Sequence, residues 1–174
     1  MIVMRHGQSE WNRLMTETGR DPGLADPHLT LHGRAQALAV VAALADYRIA
    51  RIITSPYRRA LQTAAPIAAA LGLTVEIDLS VREHKAFSCD VGSPRSVIAA
   101  EFPELDFSHL PEIWWPPENE SASTVRSRAD RFRADIENTS TWDRTLVISH
   151  WGFLRSFTGE TFENGEWRKL SRRS

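Results

Sequence analysis

Four short apolar runs punctuate the chain, and each leads into polar residues. Ile2-Val3-Met4 is followed by Arg5-His6-Gly7, Arg51-Ile52-Ile53-Thr54 by Ser55 with Arg58 and Arg59, Leu73 to Ile77 by Arg82-Glu83-His84, and Leu146-Val147-Ile148-Ser149 by His150. Continuous apolar runs of this length fit buried strands, and Glu166 to Leu170 is a weaker edge candidate. The spacing between them changes to a helical one. Thr30 can cap a helix of about 15 residues with Leu31, Ala35, Leu38, Val41 (or Ala42) and Leu44 as its apolar stripe. Ser55-Pro56 reads as a cap followed by proline at the first helical position, opening a helix that runs to Gly72. Val125, Ala129, Phe132 and Ile136 mark another amphipathic helix. Strands alternating with helices predict an α/β fold with a mainly parallel sheet and right-handed crossovers.

Two stretches break the rhythm. Residues 8 to 29 lack sustained periodicity and carry Gly19, Pro22, Gly23 and Pro27, which predicts a long loop, usually a functional one. Residues 84 to 120 contain Pro94, Pro103, Pro111, Pro116 and Pro117, with only a short helix expected after Ser93-Pro94. This predicts an irregular insertion packed over the C-terminal edge of the sheet. Trp114-Trp115 would pin it to the core rather than stack on a substrate, since large aromatics are usually buried for their area.

Composition narrows the function classes. The 174 residues suit a single domain, 1–174. With 21 Lys+Arg against 22 Asp+Glu there is no overall field to attract nucleic acid or an anionic membrane, and the closing Arg168-Lys169 and Arg172-Arg173 read as a solvated tail. Cys89 is the sole cysteine, so no intrachain disulfide forms and a reducing compartment is expected. No leader or membrane-spanning pattern is visible, so the expectation is a cytoplasmic protein.

Parallel strands bring their C-terminal ends to one crevice, where open α/β sheets place ligands. That crevice would gather two or three guanidiniums, two imidazoles and a carboxyl group, a set suited to a phosphate dianion. One histidine attacks phosphorus, the arginines and the other histidine neutralise the phosphoryl oxygens, and the carboxyl group protonates the departing oxygen. Because cationic side chains supply the charge compensation, no metal or other cofactor is called for.

The motifs then resemble a known family. Arg5-His6-Gly7-Gln8-Ser9-Glu10-Trp11-Asn12 is similar to the opening signature of the histidine phosphatase superfamily, the phosphoglycerate mutase-like proteins. Leu29-Thr30 with Gly33 and Gln36, Ser55 to Ala64, Val81-Arg82-Glu83 and Ser149-His150-Trp151-Gly152 resemble its later motifs in the same order. The resemblance implies a doubly wound α/β fold and a histidine acid-type phosphatase, a phosphoric monoester hydrolase acting on a small-molecule phosphate ester. It implies His6 as the phosphorylated nucleophile, with Arg5, Arg59 and His150 completing the phosphate pocket, Glu83 as proton donor and Asn12 facing the phosphoryl oxygens. Arg59 is preferred to Arg58 because the family arginine directly precedes the alanine; Arg58 would be a surface residue.

Two departures from the family pattern carry expectations of their own. Trp151 stands where glycine is common; its backbone N–H can still donate to phosphate while its bulk narrows the pocket. Arg82-Glu83-His84-Lys85 surrounds the acid with cations, which predicts a lowered pKa for Glu83 unless burial offsets it; His84 and Lys85 could instead extend the anion site.

Rival readings are a phosphoglycerate mutase-type transferase, a metal hydrolase, a non-catalytic phosphate-binding module, and a cysteine-dependent phosphatase built on Cys89-x5-Arg95. The mutase pattern is longer. No His-x-x-x-His or His-x-His pair supports a metal site, and retention of every expected site residue speaks against a binding module. The cysteine motif lacks a preceding strand, and Pro94 removes one N–H from its cradle. Glu112, Glu118 to Glu120, Phe107, Trp114 and Trp115 suggest a small, partly apolar monoester as substrate.

Overall fold

In the computed structural model, which describes residues 1–172, the apolar runs form one five-stranded sheet. Its strands are β1 (Ile2–Arg5), β2 (Arg51–Thr54), β3 (Val75–Ile77), β4 (Thr145–Ser149) and β5 (Trp167–Lys169), ordered β3-β2-β4-β1-β5. The first four are mutually parallel, and β5 adds antiparallel to β1. Six α-helices connect them: α1 (Glu10–Thr18), α2 (Leu31–Leu44), α3 (Arg58–Leu71), α4 (Arg95–Glu101), α5 (Ala122–Glu137) and α6 (Trp151–Thr158).

Side chains alternate along each strand, so the sheet buries two apolar faces. Ile2, Met4, Ile52, Leu146 and Ile148 pack with Val40 and Leu44 of α2 and Leu61, Ala64 and Ile67 of α3. Val3, Ile53 and Val147 pack on the opposite side with Phe132 and Ile136 of α5 and Phe153, Leu154 and Phe157 of α6. The sheet is therefore doubly wound and mainly parallel. At ~1.5–3 kcal/mol for each fully buried Leu, Ile or Phe, these layers hold the strand ends in fixed register.

The insertion lies across those ends. Trp114 is buried against Tyr57 (ring centroids 4.7 Å apart), just past β2, and the Tyr57 hydroxyl donates to Asp90 O (2.6 Å). Phe107, Leu110 and Ile98 join the same core cluster, so the tryptophan pair does anchor this segment.

Four expectations need correction. Residues 8 to 29 are not all loop: α1 begins at a cap in which Asn12 N–H donates to Ser9 Oγ (3.2 Å) and Ser9 N–H to Asn12 Oδ1 (3.0 Å). It buries only Trp11, so it carries no apolar period to detect. The stripe assigned to α2 is misplaced, since Leu31 is 87% and Leu38 61% exposed. The buried face is Gly33, Ala37, Val40 and Leu44. A helix apolar nearly all round does not reveal its core face by periodicity; here small residues permit close approach. A Cβ on Gly33 would lie 2.1 Å from Gln8 O, and one on Gly7 2.4 Å from Gly33 O, so the loop after β1 rests directly on the start of α2.

Ser55 does not cap α3, which starts at Arg58 after Tyr57. Finally, the basic C-terminal residues are docked: Arg168 pairs with Glu160 and Glu166, Lys169 lies over Tyr47 and Arg172 over Trp142. Arg173 lies outside the described residues. Among the described residues, no helix is long and apolar enough to cross a membrane.

Candidate active site

Strands β1 and β4 pair with Arg5 opposite Ser149, which sets His6 and His150 side by side at the sheet end. His6 N–H continues the ladder to Ser149 O (3.0 Å), and the two imidazole centroids are 5.1 Å apart. His6 Nδ1 lies 2.7 Å from Gly7 O. A carbonyl oxygen only accepts, so Nδ1 carries the proton and Nε2 keeps its lone pair. Arg59 Nε donates to that lone pair at 3.3 Å. Both histidines are held well below their ordinary pKa, chiefly by burial and then by the Arg59 charge.

Arg59 is fixed on every nitrogen: Nη1 donates to Cys89 O (2.7 Å) and Nη2 to Asp90 Oδ1 (3.2 Å), while the guanidinium sits 4.5 Å from the centre of the Tyr57 ring. Arg5 donates from Nη1 to Phe162 O (2.8 Å). Its Nε is buried without a partner, as is Nδ1 of His150, whose Nε2 lies 2.5 Å from Ser55 Oγ. Buried polar atoms are nearly always paired, so two unmatched positions beside a lone-pair nitrogen fit an anionic ligand. Arg58 faces elsewhere, bonded to Asp26 and Glu101.

Glu83 follows the turn after β3. Its Oε1 accepts from His84 N–H (2.7 Å) and Phe153 N–H (3.1 Å), which ties it to α6. Its pKa is raised, foremost by burial and next by the Asp90 charge. Burial thus offsets the lowering expected from basic neighbours, and those neighbours are themselves paired elsewhere. Arg82 pairs with Glu120 (2.7 Å), Lys85 Nζ donates to Pro116 O and Pro117 O (2.7 Å each), and His84 Nε2 bonds Glu120 O (2.7 Å). Lys85 is thus not part of an anion site. Arg128 of α5 holds the segment in place, donating to Ser80 O (3.0 Å), Arg82 O (2.6 Å) and Glu83 O (3.2 Å).

These groups surround a cavity of about 510 Å³ lined by Arg5, His6, Arg59 and Glu83, with Asn12, His84 and Trp151 toward its rim. His150 stands behind His6, fully buried. Asn12 Oδ1 is occupied by the α1 cap and by Asn164 Nδ2 (3.1 Å), which leaves its own amide nitrogen as the group to offer a ligand.

Reading the sequence missed Ser55 as the partner of His150, Asp90 as the partner of Arg59, and Trp11, Met15 and Phe87 as cavity wall. Nothing local to Asp90 signals that it meets Arg59. That motif itself is not assembled. Cys89 lies in a 3₁₀ turn with its thiol pKa pushed up by burial, and Arg95 faces Glu112 (3.5 Å) at the start of α4. Among the described residues, no group of three or more His, Cys, Asp or Glu is placed to hold a metal ion.

A doubly wound sheet ending in paired histidines, two arginines and a carboxyl group is an α/β arrangement suited to an anionic ligand. The chain belongs to the histidine phosphatase superfamily (branch 1), whose family model matches residues 1–172. It is 40% identical over 117 residues, 67% of its length, to an uncharacterized Mycobacterium tuberculosis protein and spans only 52% of that relative. It is 37% identical over 166 residues to the glucosyl-3-phosphoglycerate phosphatase of Mycolicibacterium vanbaalenii, covering 91% of this chain and 72% of that one. The solved structure of mycobacterial hydrolase 1 superimposes with a TM-score of 0.68 at 25% identity, covering 96% of this chain and 88% of the other.

Proposed function

We propose that this protein hydrolyses small phosphate monoesters through a phosphohistidine on His6. The observation that carries the reading is the His6 tautomer: with Nδ1–H held by Gly7 O, the Nε2 lone pair faces the guanidinium of Arg59 in the cavity. Nε2 attacks phosphorus as the bond to the leaving oxygen breaks, and Glu83 gives that oxygen its proton. A water then attacks phosphorus and gives its proton to Glu83 as the phosphorus–nitrogen bond breaks, so inorganic phosphate departs and His6 recovers its lone pair. Arg5, Arg59 and His150 stabilise the charge that develops on the phosphoryl oxygens.

We infer a histidine acid-type assignment: burial lowers the pKa of His6 and raises that of Glu83, which widens the overlap between neutral imidazole and protonated carboxyl. We place the reaction in the cytoplasm, on the strength of the single, buried thiol.

Rapid acid and alkaline quenching with ³²P-labelled substrate tests the chemistry. A label that survives alkali but not acid, and is absent from His6→Asn, is the expected result. An acid-stable label lost in Cys89→Ser would overturn it.

A further inference from the structure

Within the insertion, the later residues expected to set specificity do not line the cavity: Trp114 and Phe107 are core, Glu112 faces Arg95, and Glu120 faces Arg82 and Arg128, whereas His84, Ala86 and Phe87 from its first residues do line it. The outer wall is built from Trp11 and Met15, one turn apart on α1, from Ala86 and Phe87, and from Trp151 at the start of α6. It is organised by its own contacts. The Trp11 and Phe87 rings meet at 5.2 Å, and the indole N–H donates to Asp21 Oδ1 (2.9 Å). Asp21 also accepts from Ser88 N–H (2.9 Å), which ties the Phe87 segment to the loop after α1. Phe87 remains 46% and Trp151 39% exposed, so this apolar surface is open, unlike the aromatics of the core.

Most of the nearby cations already have partners. Lys85 is held by Pro116 and Pro117, Arg82 and Arg128 share Glu120, and Arg13 pairs with Glu10 and Glu17. Arg155 is stacked on Trp151 and does not line the cavity. Among the described residues, the arginines that line the cavity are Arg5 and Arg59, at the reacting end with Glu83 and Asp90, and Arg59 is already paired with Asp90. A carboxylate or second phosphate on the leaving group would lose hydration with no counter-charge to receive it.

We infer that the substrate is the phosphate monoester of an uncharged, apolar alcohol, preferably one bearing a ring, which packs against Trp11, Phe87 and Trp151. This rests on the phosphatase reading above and narrows its substrate class. The roughly 510 Å³ cavity accommodates a leaving group of that kind.

The test uses the full chain and three monoesters whose leaving alcohols are similarly basic: ethyl phosphate, 2-phenylethyl phosphate and 3-phosphoglycerate. The expected kcat/KM for the phenylethyl ester exceeds that for the ethyl ester by about tenfold or more, with 3-phosphoglycerate the poorest of the three. In Phe87→Ala and Trp151→Ala the phenylethyl-to-ethyl ratio falls, a readout that a general loss of folded enzyme does not move. Preference for 3-phosphoglycerate, or a ratio unchanged in both variants, overturns the inference while leaving the phosphatase reading intact. Turnover of none of the three defeats the phosphatase reading, and this inference with it.

Discussion

Arg59 donates its Nε–H to Nε2 of His6 across 3.3 Å, so the proposed nucleophile and its cationic partner are bonded to each other. The contact favours the unprotonated lone pair, and in the proposed reaction a phosphoryl group takes over the guanidinium as the attack proceeds. Arg59→Lys retains the charge but not the planar fork that reaches His6, Cys89 O and Asp90 together. Steady-state kinetics should show kcat/KM down by about 10²–10³-fold. A loss below tenfold would mean that charge alone suffices.

Glu83→Gln removes the transferable proton while preserving shape. The loss should depend on the leaving group: about 10²–10⁴-fold for alkyl phosphates, which need protonation, and much less for p-nitrophenyl phosphate, which does not. Equal losses on both substrates would argue that Glu83 positions rather than donates.

Gly152→Ala tests how tightly that carboxyl is held. A Cβ there would lie 2.7 Å from Glu83 Oε1 and 2.7 Å from His84 Cβ. We expect a stability loss of about 1–3 kcal/mol, measured by denaturant unfolding, together with reduced turnover. Unchanged stability and activity would show that α6 and the Glu83 turn shift apart freely.

Buried neutral histidines make stability depend on pH. Unfolded, His6 and His150 titrate near 6.5; folded, both lie well below it. Below 6.5 the unfolded chain binds more protons, so stability present above that pH is lost as pH falls toward the folded values. Each histidine contributes up to about 1.4 kcal/mol per pH unit. Glu83, with its pKa raised above 4.5, acts in the opposite sense over the lower part of this range and offsets some of the loss. Calorimetry should show Tm falling between about pH 7 and pH 5.5; a flat or rising Tm would mean the histidines are not held neutral.

The strands, the parallel sheet and the convergence of Arg5, His6, Glu83 and His150 are legible because buried strands are continuous apolar runs whose polar followers share one sheet end. What was illegible is chosen by packing. Nothing local to Leu38 distinguishes it from Leu44, yet one is 61% exposed and the other fully buried. Leu44→Ala should therefore cost about 2–5 kcal/mol and Leu38→Ala no more than about 0.5, a contrast that paired unfolding curves measure directly. The Arg59–Asp90 pair and the Ser55–His150 bond join distant segments and leave no trace in either local pattern.

The pairing of β1 with β4 has a kinetic consequence. It joins segments far apart in sequence, Ile2–Arg5 and residues 146–149, so a long loop must close before His6 and His150 become neighbours. Helix content can return early in refolding from α2, α3 and α5 alone, each a local element. Catalytic competence cannot, and its recovery becomes a clock for the last long-range step of assembly.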